Sequence, residues 1–144
     1  MDIVERKLKF LTGHLSILKD YEEKTINDIK KNYKDLKFVE KIIQEIVDCA
    51  VDINEYLVKK IRNEKPFSSK RSFRDLQNIL EKHNLAFDEK ELTLFIDTVS
   101  LRNEIVHSYD VNIYLIWGKR SIDVIINLYK NYTERILQII KLNS

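Results

Sequence analysis

The sequence predicts an all-α fold, an up-down bundle of about five helices forming one domain over residues 1–144. Three observations lead there. Apolar residues recur at i, i+3 and i+4 spacing rather than in the alternation of a strand. Two glycines and one proline leave few places for the chain to break. Hydrophobic residues at 44% and charged residues at 33% provide both a core and solvated outer faces, which excludes a disordered or collagen-like chain.

Each element has its own signal. Ile3, Leu8, Leu11, Leu15 and Leu18 set the first helix, with Asp2 placed to cap it, and Tyr21, Ile26 and Ile29 continue the spacing to an end near Lys31. A second helix starts around Asp35 and carries Phe38, Ile42, Ile46, Cys49, Ile53, Tyr56 and Leu57. Cys49 lies inside that stripe and reads as a small buried thiol. The segment "RNEKPFSSKRS", Arg62 to Ser72, holds the only proline and reads as the main loop. "SFRD", Ser72 to Asp75, has capping-box spacing and opens a third helix that ends near His83 and Asn84. A fourth begins around Asp88 with Leu92, Phe95, Ile96, Val99 and Val106. The fifth carries Ile122, Ile125, Ile126, Tyr129, Ile136, Ile139 and Ile140, with Gly118 either bending it or marking its start.

Several classes are excluded by what is missing. A single cysteine cannot make an internal disulfide, and Cys49, His14, His83 and His107 lack zinc-ligand spacing. Inward Glu-x-x-His pairs of a bundle metal site are also lacking, so neither metal nor other cofactor is expected. "MDIVERKLKF" has no signal-peptide core, and no apolar run reaches the roughly 18 residues of a membrane span. A cytoplasmic protein without membrane association is the expectation. Net charge is only +2, so attraction to nucleic acid must arise locally. The densest positive region is Lys59, Lys60, Arg62, Lys65, Lys70, Arg71 and Arg74 against one acid, Glu64. These residues either guide nucleic-acid phosphates or are ordinary solvated charges.

The unusual stretch is "LRNEIVHSYD", Leu101 to Asp110, in an otherwise apolar helix. Projected at about 100° per residue from Leu92, Phe95, Ile96, Val99 and Val106 lie within about 60° of zero. Asn103 falls near 20°, inside that stripe, where an unpaired amide would cost about 1–3 kcal/mol; it must be hydrogen-bonded. His107 projects to about 60°, while Arg102 and Tyr109 fall at about 280° and 260° on the opposite margin. Asn103 and His107 form an i, i+4 pair in which the amide can orient the imidazole. Arg102 and His107 do not converge within one chain, but a two-fold dimer brings the arginine of one copy near the histidine of the other.

"RNEIVHSY" resembles the R-x4-H-x-Y motif of the HEPN superfamily, and within it the HepT toxins that are partnered by MNT nucleotidyltransferase antitoxins. "VEKIIQEIVDCAVDINEYLVKK", "KPFSSKRSFRDLQNIL" and the span from Leu92 through Tyr132 resemble successive segments of that family, about two-thirds of the chain. "KHNLAF", Lys82 to Phe87, departs from it where a glycine-containing turn is expected. The resemblance implies a HEPN-like homodimer acting as a metal-independent endoribonuclease toxin in a type II/VII-like toxin–antitoxin pair.

The residue types suit that chemistry. Attack by a ribose 2′-hydroxyl needs a proton acceptor, a donor to the leaving 5′-oxygen and positive charge for the phosphorane. His107 serves the first two needs and Arg102 the third, while Asn103 positions. DNA, lacking the hydroxyl, is not a substrate. The resemblance further implies that the MNT antitoxin attaches AMP to Tyr109, whose added phosphate would compete with RNA for the arginine. Two plainer readings stand beside this one: Tyr109 packs at the interface with its hydroxyl satisfied, or the chain is a non-catalytic HEPN module that binds or scaffolds a minimal nucleotidyltransferase. His14 and His83 read as packed or surface residues, and Trp117, Tyr114 and Tyr129 as core or dimer surface.

Overall fold

The computed structural model describes residues 2–107 and 117–143. Among them are six α-helices and no strand: α1 (Asp2–Leu18), α2 (Ile26–Ile29), α3 (Tyr33–Arg62), α4 (Ser69–Glu81), α5 (Glu89–His107) and α6 (Ile122–Leu142). The all-α expectation holds, and α2 is the addition to the five helices expected. The first helix stops at Leu18 rather than near Lys31, because Thr25 and Asp28 form a reciprocal capping box that restarts the backbone as a separate turn. Ile26 and Ile29 stay buried in that turn, so the spacing was helical but the continuity was not.

Helix α3 is the spine. It packs against α1, α4 and α5, while α6 lies against α1 and α5. Its inward stripe, Ile42, Ile46, Cys49, Ile53 and Leu57, is buried as the periodicity requires, whereas Phe38 near its start is exposed. Asn32 caps the beginning of α3 through Lys34 and Asp35 N–H groups, two to three residues before the expected start. An aromatic cluster of Phe73, Phe87, Phe95, Tyr129 and Tyr132 joins α4, α5 and α6, with Phe73 and Phe95 stacked at 5.1 Å between centroids.

The cap of α4 lies earlier than its sequence signal. Ser68, not Ser72, caps the helix by accepting from the Arg71 N–H at 3.1 Å. Ser72 is instead buried within the first turns, where its hydroxyl donates to the Ser69 carbonyl. The turn after α4 needs no glycine, since Asn84 adopts φ 57°, a conformation asparagine tolerates better than most residues. Gln77 then fixes the following segment by exchanging two hydrogen bonds with the Phe87 backbone. Gly118 precedes α6 rather than bending it; its carbonyl accepts from the Asn27 N–H, and Ser121 is the cap position.

On α5 the buried face is turned from the predicted one. Leu92, Phe95, Thr98, Val99 and Leu101 are buried, Ile96 and Asn103 are half-buried, and Val106 near the helix end is 44% exposed. That inner face centres about 60° away from Leu92, toward Arg102. Thr98 is acceptable there because it donates to the Phe95 carbonyl at 2.6 Å and lies 2.7 Å from the Tyr129 hydroxyl.

Trp117 and Tyr129 are core residues, and Trp117 Nε1 donates to the Asp97 carbonyl. His14 is half-buried against Glu45, and His83 is exposed. Cys49 donates to the Lys7 carbonyl, and burial pushes its thiol up to about 11. Tyr114 lies outside the described residues. No described helix is long and apolar enough to cross a membrane.

Candidate active site

The turn of α5 points Arg102 into the protein rather than along a margin. Its Nη1 meets Asp48 Oδ1 on α3 at 2.5 Å, its Nη2 donates to Ser69 Oγ at the start of α4 at 3.1 Å, and its Nε donates to Asn103 Oδ1 at 3.0 Å. Three helices therefore converge on one guanidinium, whose side chain keeps only 17% of its exposure. Three of the five N–H groups of an arginine are committed in these bonds, and the planar fork is held in a single orientation. Asp48 is 43% exposed, so this ion pair opens to solvent on one side.

Ser69 owes its position to a buried chain of hydrogen bonds. The Tyr132 hydroxyl on α6 lies 2.6 Å from Asn54 Oδ1 on α3; Asn54 Nδ2 donates to Ser72 Oγ at 3.2 Å; and Ser72 Oγ donates to the Ser69 carbonyl at 2.6 Å. Tyr132, Asn54 and Ser72 are all fully buried. In this low-dielectric setting each polar atom needs its partner, so the chain restricts where the first turn of α4 sits. Burial also pushes the hydroxyls of Tyr129 and Tyr132 to higher pKa, which keeps both as neutral donors.

The expected site residues separate into groups. Asn103 is hydrogen-bonded, as a half-buried amide should be, but its oxygen serves Arg102. Among the described residues no bond joins it to His107, which is exposed at the last residue of α5. Arg102 and His107 thus lie on different sides of one helix. Tyr109 lies outside the described residues. Glu104, half-buried inside the motif, has its carboxyl raised above the usual glutamate value by burial. No three described His, Cys, Asp or Glu side chains are grouped as a metal site would require.

The basic segment is less positive in space than in sequence. Arg62 and Arg71 both pair with Asp75, and Lys65 lies 3.9 Å from Glu55. Lys59, Lys60, Lys70 and Arg74 are exposed and make no described ion pair.

Asp48 and Ser69 are the partners that sequence reasoning missed. The available signal was a run of carboxylates, Glu45, Asp48 and Asp52, along one margin of an otherwise apolar stripe.

Comparison with known proteins places the chain in a family. A curated relative, "tRNA nuclease HepT" of Aphanizomenon flos-aquae (strain 2012/KM1/D3), is 26% identical over 108 residues, covering 75% of this chain and 70% of the relative. Residues 11–136 match the family described as "Ribonuclease HepT-like", a span that includes Asp48, Asn54, Ser69, the whole of α5 and Tyr132. An all-α chain whose motif arginine is gathered by three helices thus belongs to the HepT-like ribonuclease family of the HEPN superfamily.

Proposed function

We propose that this protein is a metal-independent endoribonuclease that cuts RNA across a homodimer, the toxin of a type II/VII-like HEPN–MNT pair. The observation that carries the reading is the anchoring of Arg102 by Asp48, Ser69 and Asn103, which fixes the motif arginine in a chain of a ribonuclease family. In the proposed reaction one His107 accepts the proton of a ribose 2′-hydroxyl. The 2′-oxygen bonds to the adjacent phosphorus as the bond to the 5′-oxygen breaks, and a protonated imidazole, the partner subunit's His107, supplies the leaving oxygen with a proton. A 2′,3′-cyclic phosphate and a 5′-hydroxyl result. Arg102 bears on the phosphorane oxygens, where charge develops, and Asn103 keeps the arginine in line.

Lys59, Lys60, Lys70 and Arg74 draw RNA in, with Arg62, Lys65 and Arg71 contributing less because carboxylates already face them. The relative's name makes tRNA the first substrate to test. Restraint comes from an MNT-type antitoxin: the Tyr109 oxygen takes the α-phosphate of ATP, pyrophosphate leaves, and the bound AMP blocks RNA from Arg102. Mass spectrometry after co-expression with that antitoxin is expected to show AMP on Tyr109, and an unmodified tyrosine overturns this part.

Cleavage of a tRNA pool in EDTA by unmodified protein, run beside His107→Ala, tests the nuclease itself. Cleavage lost in the variant supports the reading. Absence of cleavage by folded, unmodified wild-type dimer with tRNA and messenger RNA present overturns it in favour of a non-catalytic module that scaffolds a nucleotidyltransferase.

A further inference from the structure

One aromatic side chain is spread into solvent two residues before the serine that anchors Arg102. Phe67 is fully exposed, at 101% of its reference area. Scattered exposed apolar residues are ordinary, and a frayed loop would expose a ring without meaning. Here the flanks are tied down. Pro66, just before it, is buried and has its φ fixed by its ring; Ser68, just after it, is the cap of α4; and Ser69 binds Arg102. Among these four consecutive residues, the one without an anchor carries the large ring.

Cations flank it in the chain. Lys70 is exposed with no described ion pair, while Lys65 and Arg71 are exposed but faced by Glu55 and Asp75. Phe67 is two residues from Ser69, so their Cα atoms lie within about 7.6 Å, and Ser69 Oγ is itself 3.1 Å from Arg102 Nη2. The backbone that carries the ring is thus tied, two residues on, to the side chain that holds the guanidinium, which puts the ring within a nucleotide's reach of a phosphate bound there. Base stacking on an exposed aromatic, with nearby cations on the backbone, is how proteins take hold of unpaired nucleotides without reading their sequence. Bases already stacked in a duplex offer no free face to such a ring.

We propose that Phe67 is a stacking platform for an unpaired nucleobase adjacent to the phosphate bound at Arg102, and that it directs the enzyme to single-stranded RNA. This rests on the nuclease reading above. Exposure of the ring makes its replacement harmless to the fold, so the variants are interpretable.

The test measures binding of a mixed-sequence single-stranded 2′-O-methyl RNA, which cannot be cut, to the full chain and to its Phe67→Ala, Phe67→Leu and Phe67→Trp variants across a salt series. Phe67→Ala and Phe67→Leu are expected to raise Kd by roughly 5- to 100-fold, Phe67→Trp to restore it, and the salt slope to stay unchanged because no cation is lost. The same RNA annealed to its complement is expected to bind all variants alike. Unchanged Kd in Phe67→Ala, or recovery by leucine, overturns the proposal. So does a variant that binds RNA normally but alters the sedimentation of the protein, which would make the ring a protein contact. Wild-type cleavage of the tRNA pool in EDTA, run in parallel, separates the two ideas: cleavage with unchanged Kd removes the platform alone, and absence of cleavage removes the reading beneath it.

Discussion

Replacing Asn54 with alanine removes the middle of the buried chain that runs from Tyr132 to Ser69. The amide oxygen sits 2.6 Å from the Tyr132 hydroxyl, and its nitrogen donates to Ser72 Oγ at 3.2 Å. Neither neighbour is orphaned by its loss. Tyr132 still reaches the Ala50 carbonyl at 3.0 Å, and Ser72 still donates to the Ser69 carbonyl. The cost is therefore two hydrogen bonds and a small cavity, about 2–3 kcal/mol, without the larger penalty of unsatisfied donors. For a chain of this length that lowers Tm by roughly 4–12 °C.

Asn54→Asp keeps the shape but places a carboxylate where the residue is wholly buried and its described partners, Ser72 and Tyr132, are uncharged. Burial raises such a carboxyl above its unfolded value of about 3.9, so stability is fully present below that value and lost as pH rises through the folded one. Urea unfolding followed by circular dichroism at pH 5 and pH 8 reads both effects. The alanine variant should show the same deficit at each pH, and the aspartate variant a deficit that widens toward pH 8. A loss under about 0.5 kcal/mol in alanine, or an aspartate deficit independent of pH, would refute the claim that this buried chain is taut and dry.

Asp48→Asn is expected to leave stability within about 1 kcal/mol, since the carboxylate is partly exposed, yet to lower kcat for RNA cleavage roughly tenfold with little change in KM; unchanged kcat would show that Arg102 needs no anchor. Cys49, with its thiol near 11, should react with a maleimide at pH 8 on the order of 100-fold more slowly in the native protein than in urea, and equal rates would contradict its burial. Glu104→Gln should stabilise the protein at neutral pH. The carboxyl is raised by burial, so the gap between variant and wild type is absent below the ordinary glutamate value of 4.5 and opens as pH climbs through the higher folded value; a gap constant with pH would exclude Glu104 as its source.

The helices were legible where apolar spacing alone decides burial. Ile42, Ile46, Ile53 and Leu57 on α3 fall inward as their pattern requires. Sequence reading failed where polar partners decide. Thr98 and Arg102 turn inward on α5 because Tyr129, Asp48 and Ser69 meet them, and those partners are 31, 54 and 33 residues away. No periodicity within α5 can register them. The cap of α4 was misplaced for a related reason: Ser68 and Ser72 carry the same hydroxyl, and only the tertiary bond from Asn54 marks Ser72 as interior. Asn103 reads from its position as an amide that must be hydrogen-bonded, and it is, whereas Arg102 reads as a margin residue and turns inward instead. The identity of the partners came only with the fold.

The order of synthesis gives the buried chain another meaning. Asp48, Asn54, Ser69 and Ser72 emerge before Arg102, but Tyr132 lies 30 residues after it, in the last helix. A nascent chain that has already displayed the motif still lacks the hydroxyl that tightens Asn54 and, through Ser72, the turn bearing Ser69. On the nuclease reading, the support behind the Arg102 anchor is therefore complete only once α6 has been made.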